Sequence, residues 1–162
     1  MKSQYRISSE EYIKAGLLNG EMSSKSKKVH MVIDVSFVVV GLVFIYLGNN
    51  VLAVGFIGAA IGGNLLPFII RRFYTPWYLK RHFHKYPAIQ KPISISVLEN
   101  GVKFESESGE GTIMWNEIHH WREGKDMVLI YLAPKIYYVV PKRVPEVDSL
   151  CVMLCSKVGN AT

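Results

Sequence analysis

The residues of this chain whose types and spacing could do chemistry are two histidine pairs, one cysteine pair and one basic dipeptide. His119-His120 stands between Trp115 and Trp121, His82 and His84 flank Phe83, and Cys151 and Cys155 are four residues apart. A metal site needs three or four converging ligands. Neighbouring residues on a strand point to opposite faces, so His119 and His120 are not expected to share an ion. Cys151 and Cys155 do share a helical face, but it is the apolar face of the last helix. No Ser/His/Asp order, glycine-rich phosphate loop or HExxH motif occurs, and Glu117 beside His119 is too common a pairing to signal acid–base catalysis. The chain is therefore expected to hold no catalytic residue, no metal and no cofactor. Lys142-Arg143 could donate to an anion, or could equally be a solvated turn before the final helix.

Composition narrows the class. Of 162 residues 49% are hydrophobic and 20% charged, which excludes a disordered chain. Two cysteines exclude a disulfide-stapled scaffold. The net charge of +6 is unevenly spread. Residues 31–70 carry one charge, Asp34, whereas residues 71–91 carry six Lys/Arg and no acid. The final stretch, 92–162, has seven basic and nine acidic residues. The basic excess flanks the apolar centre.

That centre reads as two membrane spans, 31–48 and 50–70, about 27 and 31 Å long as helices, close to the ~30 Å of a hydrocarbon core. Asn49-Asn50 is the turn between them. Lys25, Lys27 and Lys28 precede the first span, Arg71 and Arg72 follow the second, and the turn carries no charge, so both termini are expected in the cytoplasm. Level pairing across the turn sets Gly41 opposite Gly58. The expected hairpin closes Gly41 onto the Gly55/Gly58/Gly62 stripe. Asn64 would then face outward with Ala53 and Ala60, either in a weak homo-oligomer or as a shallow amide satisfied by water or backbone. Asp34 lies about one turn inside the cytoplasmic end, within reach of His30, a structural placement. Residues 71–91 predict an interfacial helix opened by Thr75-Pro76. Arg71, Arg72, Trp77, Lys80, Arg81 and Lys85 would meet anionic headgroups and the membrane interface; lipid, not nucleic acid, is the expected partner.

The flanking segments change period. Tyr5-Arg6-Ile7 predicts a short strand, and Ser8 with Glu11 a capping box opening a helix to about Leu18; residues 22–28 read as a linker. Ile93, Ile95 and Val97 alternate with serines, Asn100-Gly101 signals a two-residue hairpin turn, and Val102 and Phe104 alternate with Lys103 and Glu105. A turn at 108–111, a third strand at 112–115, two more around Pro134-Lys135 and a helix after Pro145 follow. In that helix Val147, Leu150, Cys151, Leu154 and Val158 mark one buried face. The fold class expected is a membrane α-helical hairpin plus an α+β cytoplasmic domain, an antiparallel β-meander capped by a C-terminal helix. The divisions are 1–30, 31–70, 71–91 and 92–162. The N-terminal strand and helix are expected to help complete a core that is small for about 70 residues.

The order of a Tyr-x-Ile-Ser-x-Glu-Glu-Tyr start, a hairpin, an Asn-Gly turn, Trp115-Asn116-Glu117-Ile118 and Val140-Pro141-Lys142-Arg143 resembles the YcxB-like bacterial membrane proteins. The resemblance implies a cytoplasmic tail similar to pleckstrin-homology-like domains and placement in the bacterial inner membrane as a multi-pass protein. It implies no activity. Two functions remain: a non-catalytic module that recruits an unidentified cytoplasmic protein through an exposed edge strand, or binding of an anionic lipid headgroup or small anion through Lys142 and Arg143.

Overall fold

The computed structural model describes residues 2–107, 109–134 and 136–161; Ser108 and Lys135, both expected in turns, lie outside them. The chain divides into two compact units, one made of Met1–Asn19 and Tyr78–Thr162, the other of Gly20–Trp77. The first unit is therefore interrupted in sequence by the second.

In the interrupted unit, β1 (Lys2–Tyr5) pairs antiparallel with β2 (Ile93–Val97), with Tyr5 opposite Ile93 and Lys2 opposite Ser96. β3 (Gly101–Ser106) and β4 (Gly109–Met114) continue a four-stranded sheet in the order β1-β2-β3-β4. β5 (His120–Glu123), β6 (Met127–Ala133) and β7 (Ile136–Pro141) form a second antiparallel sheet. The expected single meander is thus two sheets, and β5 has no apolar alternation to announce it. α1 (Ser9–Asn19) opens on the capping box: Glu11 N–H donates to Ser8 Oγ (3.2 Å), and Ser8 N–H donates to Glu11 Oε2 (2.8 Å). α5 (Val147–Lys157) buries Val147, Leu150 and Leu154, the spacing that one helical face requires.

Both sheets and both helices feed one core. Ile95, Val102, Val128, Leu129, Ile130, Val140, Leu150 and Leu154 are fully buried, and Tyr5, Ile7 and Ala15 join the same cluster. The N-terminal segment therefore completes the β-domain. Phe104 stacks on Tyr138 at 4.3 Å between centroids, bridging β3 and β7.

The Asn-Gly turn is built differently from the expectation. Gly101 does not take a positive φ; it is the first residue of β3, and Leu98 N–H donates to Gly101 O (2.8 Å). A Cβ at Gly101 would lie 2.1 Å from Ile113 O and 2.9 Å from Met114 Cα, both backbone atoms of β4. Glycine is needed here for close strand approach. Gly101→Ala is expected to cost about 3 kcal/mol, the upper range for overpacking, because backbone cannot rotate aside. A guanidinium titration of the detergent-solubilised full chain would show an unchanged midpoint if β4 yields freely.

The second unit contains α2 (Ser24–Tyr46) and α3 (Asn50–Ile69), followed by a π-helical turn over Ile70–Tyr74. α2 starts inside the expected linker: Ser23 Oγ accepts from Ser26 N–H (3.2 Å) and caps the helix. Gly48 takes φ +78° at the end of α2, Asn49 N–H reaches back to Phe44 O (2.9 Å), and Asn49 Oδ1 caps α3 through Leu52 N–H (3.2 Å). The helices pack with Phe56 set between Phe37 (5.8 Å, edge-on) and Phe44 (5.7 Å, stacked).

That aromatic insertion corrects the glycine assignment. Ala53 and Ala60 are buried between the helices, and Gly41 lies against Ile57 and the Ala53 carbonyl. Gly55, Gly58 and Gly62 face away; a Cβ on any of them meets nothing within 4 Å. Level pairing finds the height of Gly58 correctly but not the rotation of its helix. Its neighbour Ile57, about 100° around, takes the inward position. Asn64 donates from Nδ2 to Ala60 O (2.9 Å), so its amide is bonded within its own helix.

α4 spans Thr75–Lys85. Thr75 has helical backbone (φ −60°, ψ −48°) directly after the π turn. It therefore continues a helical segment and does not cap a new one as expected from Thr75-Pro76.

Candidate functional site

Lys142 and Arg143 follow β7 and lie among carboxylates. Arg143 donates from Nε to Glu11 Oε1 (2.8 Å) and from Nη2 to Arg6 O (2.7 Å) and Glu11 Oε2 (3.2 Å). Arg143 hydrogen-bonds Glu11 and, with the capping contacts of Ser8, holds that carboxyl below its ordinary range despite partial burial. Lys142 Nζ pairs with Glu123 Oε1, and the Lys142 N–H donates to Asp126 O (2.8 Å). Lys14 Nζ meets Asp126 Oδ2 at 2.6 Å. The pair expected to bind an anion is thus engaged with the protein's own acids, tying the end of β7 to α1 and to β5. A free anion would compete there with Glu11 and Glu123.

His119 precedes β5 outside regular strand, and the backbone there brings the two histidines together: His119 Nδ1 and His120 Nδ1 are 2.8 Å apart, one donating and one accepting. The expectation that they diverge assumed strand geometry at both positions. Burial, then the proximity of His119, lowers the His120 pKa. Among the described residues no three His, Cys, Asp or Glu side chains gather as a metal-binding group. Cys151 is half-buried and Cys155 exposed; burial pushes the Cys151 thiol up. His82 is occupied otherwise: its Nδ1 lies 3.0 Å from Tyr12 Oη, and its ring lies tilted against Tyr86 with centroids 4.4 Å apart.

The basic–aromatic residues are spread along the helical stretch. Arg71 Nη2 meets Glu21 Oε1 at 2.7 Å, Arg72 lies 5.8 Å over Phe73 and Lys85 5.9 Å over Tyr86. Trp77, Lys80 and Arg81 are exposed. Lys25–Tyr46 and Asn50–Lys85 contain helices long and apolar enough to cross a membrane, and only 6% and 11% of their apolar windows are buried.

One buried charge carries no motif. Glu146, just before α5, is 7% exposed, and its Oε2 has no hydrogen-bond partner. The sequence shows it only as a helix-opening residue after Pro145. A carboxylate beside a helix N-terminus is ordinarily solvated, so composition gave no signal of its burial.

These elements define a class: an α+β chain whose two antiparallel sheets and capping helix are interrupted by a pair of long apolar helices. Within it, residues 97–144 match the family model described as YcxB-like protein. The YcxB-like resemblance read from Trp115-Asn116-Glu117-Ile118 and Val140-Pro141-Lys142-Arg143 is shown over that stretch, from the end of β2 to the residue after Arg143. No curated protein and no solved structure matches the chain.

Proposed function

We propose that the protein is a bacterial inner-membrane protein whose α2–α3 hairpin crosses the bilayer and whose β-domain, of pleckstrin-homology-like type, is a non-catalytic interaction module at the cytoplasmic surface. The observation that carries the placement is the pairing of β1 with β2 across the interrupting helices. Residues 2–5 and 93–97 share one sheet, so they must lie on one side of any membrane between them. Two crossings satisfy that and one does not. The apolar side chains of the pair support burial in lipid: Val51, Val54 and Phe68 are 84%, 71% and 61% exposed, far more apolar surface than water-facing helices carry. The flanking basic residues favour the cytoplasmic side.

β4 supports the module reading. It is an edge strand exposed at every residue but Ile113, and an extended segment could add to it through main-chain hydrogen bonds. The anion-binding alternative is weaker, because Lys142 and Arg143 are paired with Glu123 and Glu11. A weak homo-oligomer would approach through the outward Gly55/Gly58/Gly62 face in place of Ala60.

Thiol labelling in intact cells, in a cysteine-free background, tests the topology. A cysteine at Asn49 is expected to react with an impermeant reagent, and one at Glu110 only after lysis. External labelling at Glu110 would overturn the placement.

A further inference from the structure

The β-domain carries a pocket of about 420 Å³ between the β2–β3 turn and the start of α5, lined by Val97, Leu98, Glu99, Glu146, Ser149 and Met153. Its size falls within the range of small-ligand sites, ~300–1,000 Å³. One wall is held firmly. Trp115 Nε1 donates to Glu99 O (2.9 Å), and Trp115 N–H donates to Asn100 O (3.3 Å). The other wall is α5, anchored in the core through Leu150 and Leu154.

The chemistry of the lining is uneven. Leu98, Val97 and Met153 offer an apolar surface several carbons long. Glu99 and Glu146 contribute two carboxylates, and the lining holds no Lys, Arg or His. Glu146 is more than nine-tenths buried, and its Oε2 lacks any partner. Removing a carboxylate from water is costly unless a cation or donor repays it. A ligand that brings positive charge on an apolar stem would offset that cost.

We propose that this pocket receives a single arginine or lysine side chain of a partner protein, its methylenes on Leu98 and Met153 and its charged head on Glu146, with Glu99 at the rim. The assignment rests on the reading of the β-domain as an interaction module and names the anchor that such a partner presents. It follows from charge complementarity and from the snorkelling build of the two long basic side chains.

The test uses the full chain in lipid nanodiscs with methyl-labelled methionine, titrated with a blocked five-residue peptide bearing a central arginine among alanines. Saturable movement of the Met153 methyl signal is expected, with Met127, buried elsewhere, unmoved. The same peptide with citrulline, which keeps the shape and loses the charge, is expected to bind at least about tenfold more weakly, and Glu146→Gln to weaken the arginine peptide similarly. Glu99→Gln, at the exposed rim, keeps the question answerable if the buried substitution unfolds the domain; a two- to threefold weakening is expected on the order of a surface ion pair. Equal binding of the arginine and citrulline peptides, or no movement of Met153, would overturn the assignment. So would the same Met153 shift produced by calcium alone, which would make the carboxylates a cation site. These outcomes are separate from the labelling of Glu110, which bears on the module's placement and not on the pocket.

Discussion

Trp115→Ala is expected to destabilise the β-domain by about 3–5 kcal/mol, the cost of removing a large aromatic from a packed core. Trp115 is 8% exposed and begins a short 3₁₀ turn, Trp115–Glu117. Its indole N–H holds Glu99 O, its own N–H holds Asn100 O, and Glu117 Oε2 accepts from the Met114 N–H before it (2.8 Å). One side chain thus fills the core and fastens the β2–β3 turn. Trp115→Phe separates the two roles: it keeps most of the apolar contact and drops the indole hydrogen bond, so about 1 kcal/mol should be lost. Guanidinium titration of the full chain in detergent reads both. Equal loss for Ala and Phe would mean that the hydrogen bond, not the packing, dominates; an unchanged midpoint for Ala would remove Trp115 from the core.

Tyr5→Ala should cost a comparable ~3–5 kcal/mol and, more tellingly, should release β1. Tyr5 is 4% exposed and donates from Oη to Val139 O (2.9 Å), linking the first sheet's edge strand to β7 of the second. β1 has only four residues, so few other contacts hold it. Hydrogen exchange is expected to rise in β2 at the amides that face β1, those of Ile93 and Ile95; the Leu98 N–H bond to Gly101 O sets an alternation that turns the Ser94 and Ser96 amides toward β3. Protection there that survives the substitution would show that Ile7 and the remaining strand suffice.

Tyr5 also predicts a pH dependence. Burial is the main cause that raises its phenol pKa, opposed by the nearby Arg143. The folded state keeps the proton while the unfolded chain releases it near pH 10, so the unfolded chain binds fewer protons above that pH. Stability from this group is complete below about pH 10 and falls as pH rises, by at most about 1.4 kcal/mol per pH unit. Tyr5→Phe removes that contribution, so its stability should decline less between pH 9 and 11, taken as approximate bounds of the window. An identical alkaline decline in both proteins would assign the effect to Tyr12, Tyr131 and Tyr137, which burial also raises.

What was legible in the sequence was local. Ser8 and Glu11 form the capping box because both partners lie within one turn. The face Val147, Leu150 and Leu154 is buried because a 3.6-residue period leaves it one orientation. Two long apolar helices followed from uninterrupted hydrophobic length.

Only the tertiary structure decided what depends on rotation or on distant partners. Helix length does not set helix phase, and Phe56 between Phe37 and Phe44 turned Ala53 and Ala60 inward and the glycines out. Asn100-Gly101 marked a turn, but the need for glycine came from a strand twelve residues on, where Ile113 O leaves no room for a Cβ. Lys142 and Arg143 look free in sequence because Glu11 and Glu123 are remote along the chain; folding brings those carboxylates to them. β1 joined β2 for the same reason. Pairing across the whole of the apolar pair leaves no local pattern, since a strand's partner is chosen by the shared core and not by its neighbours in sequence.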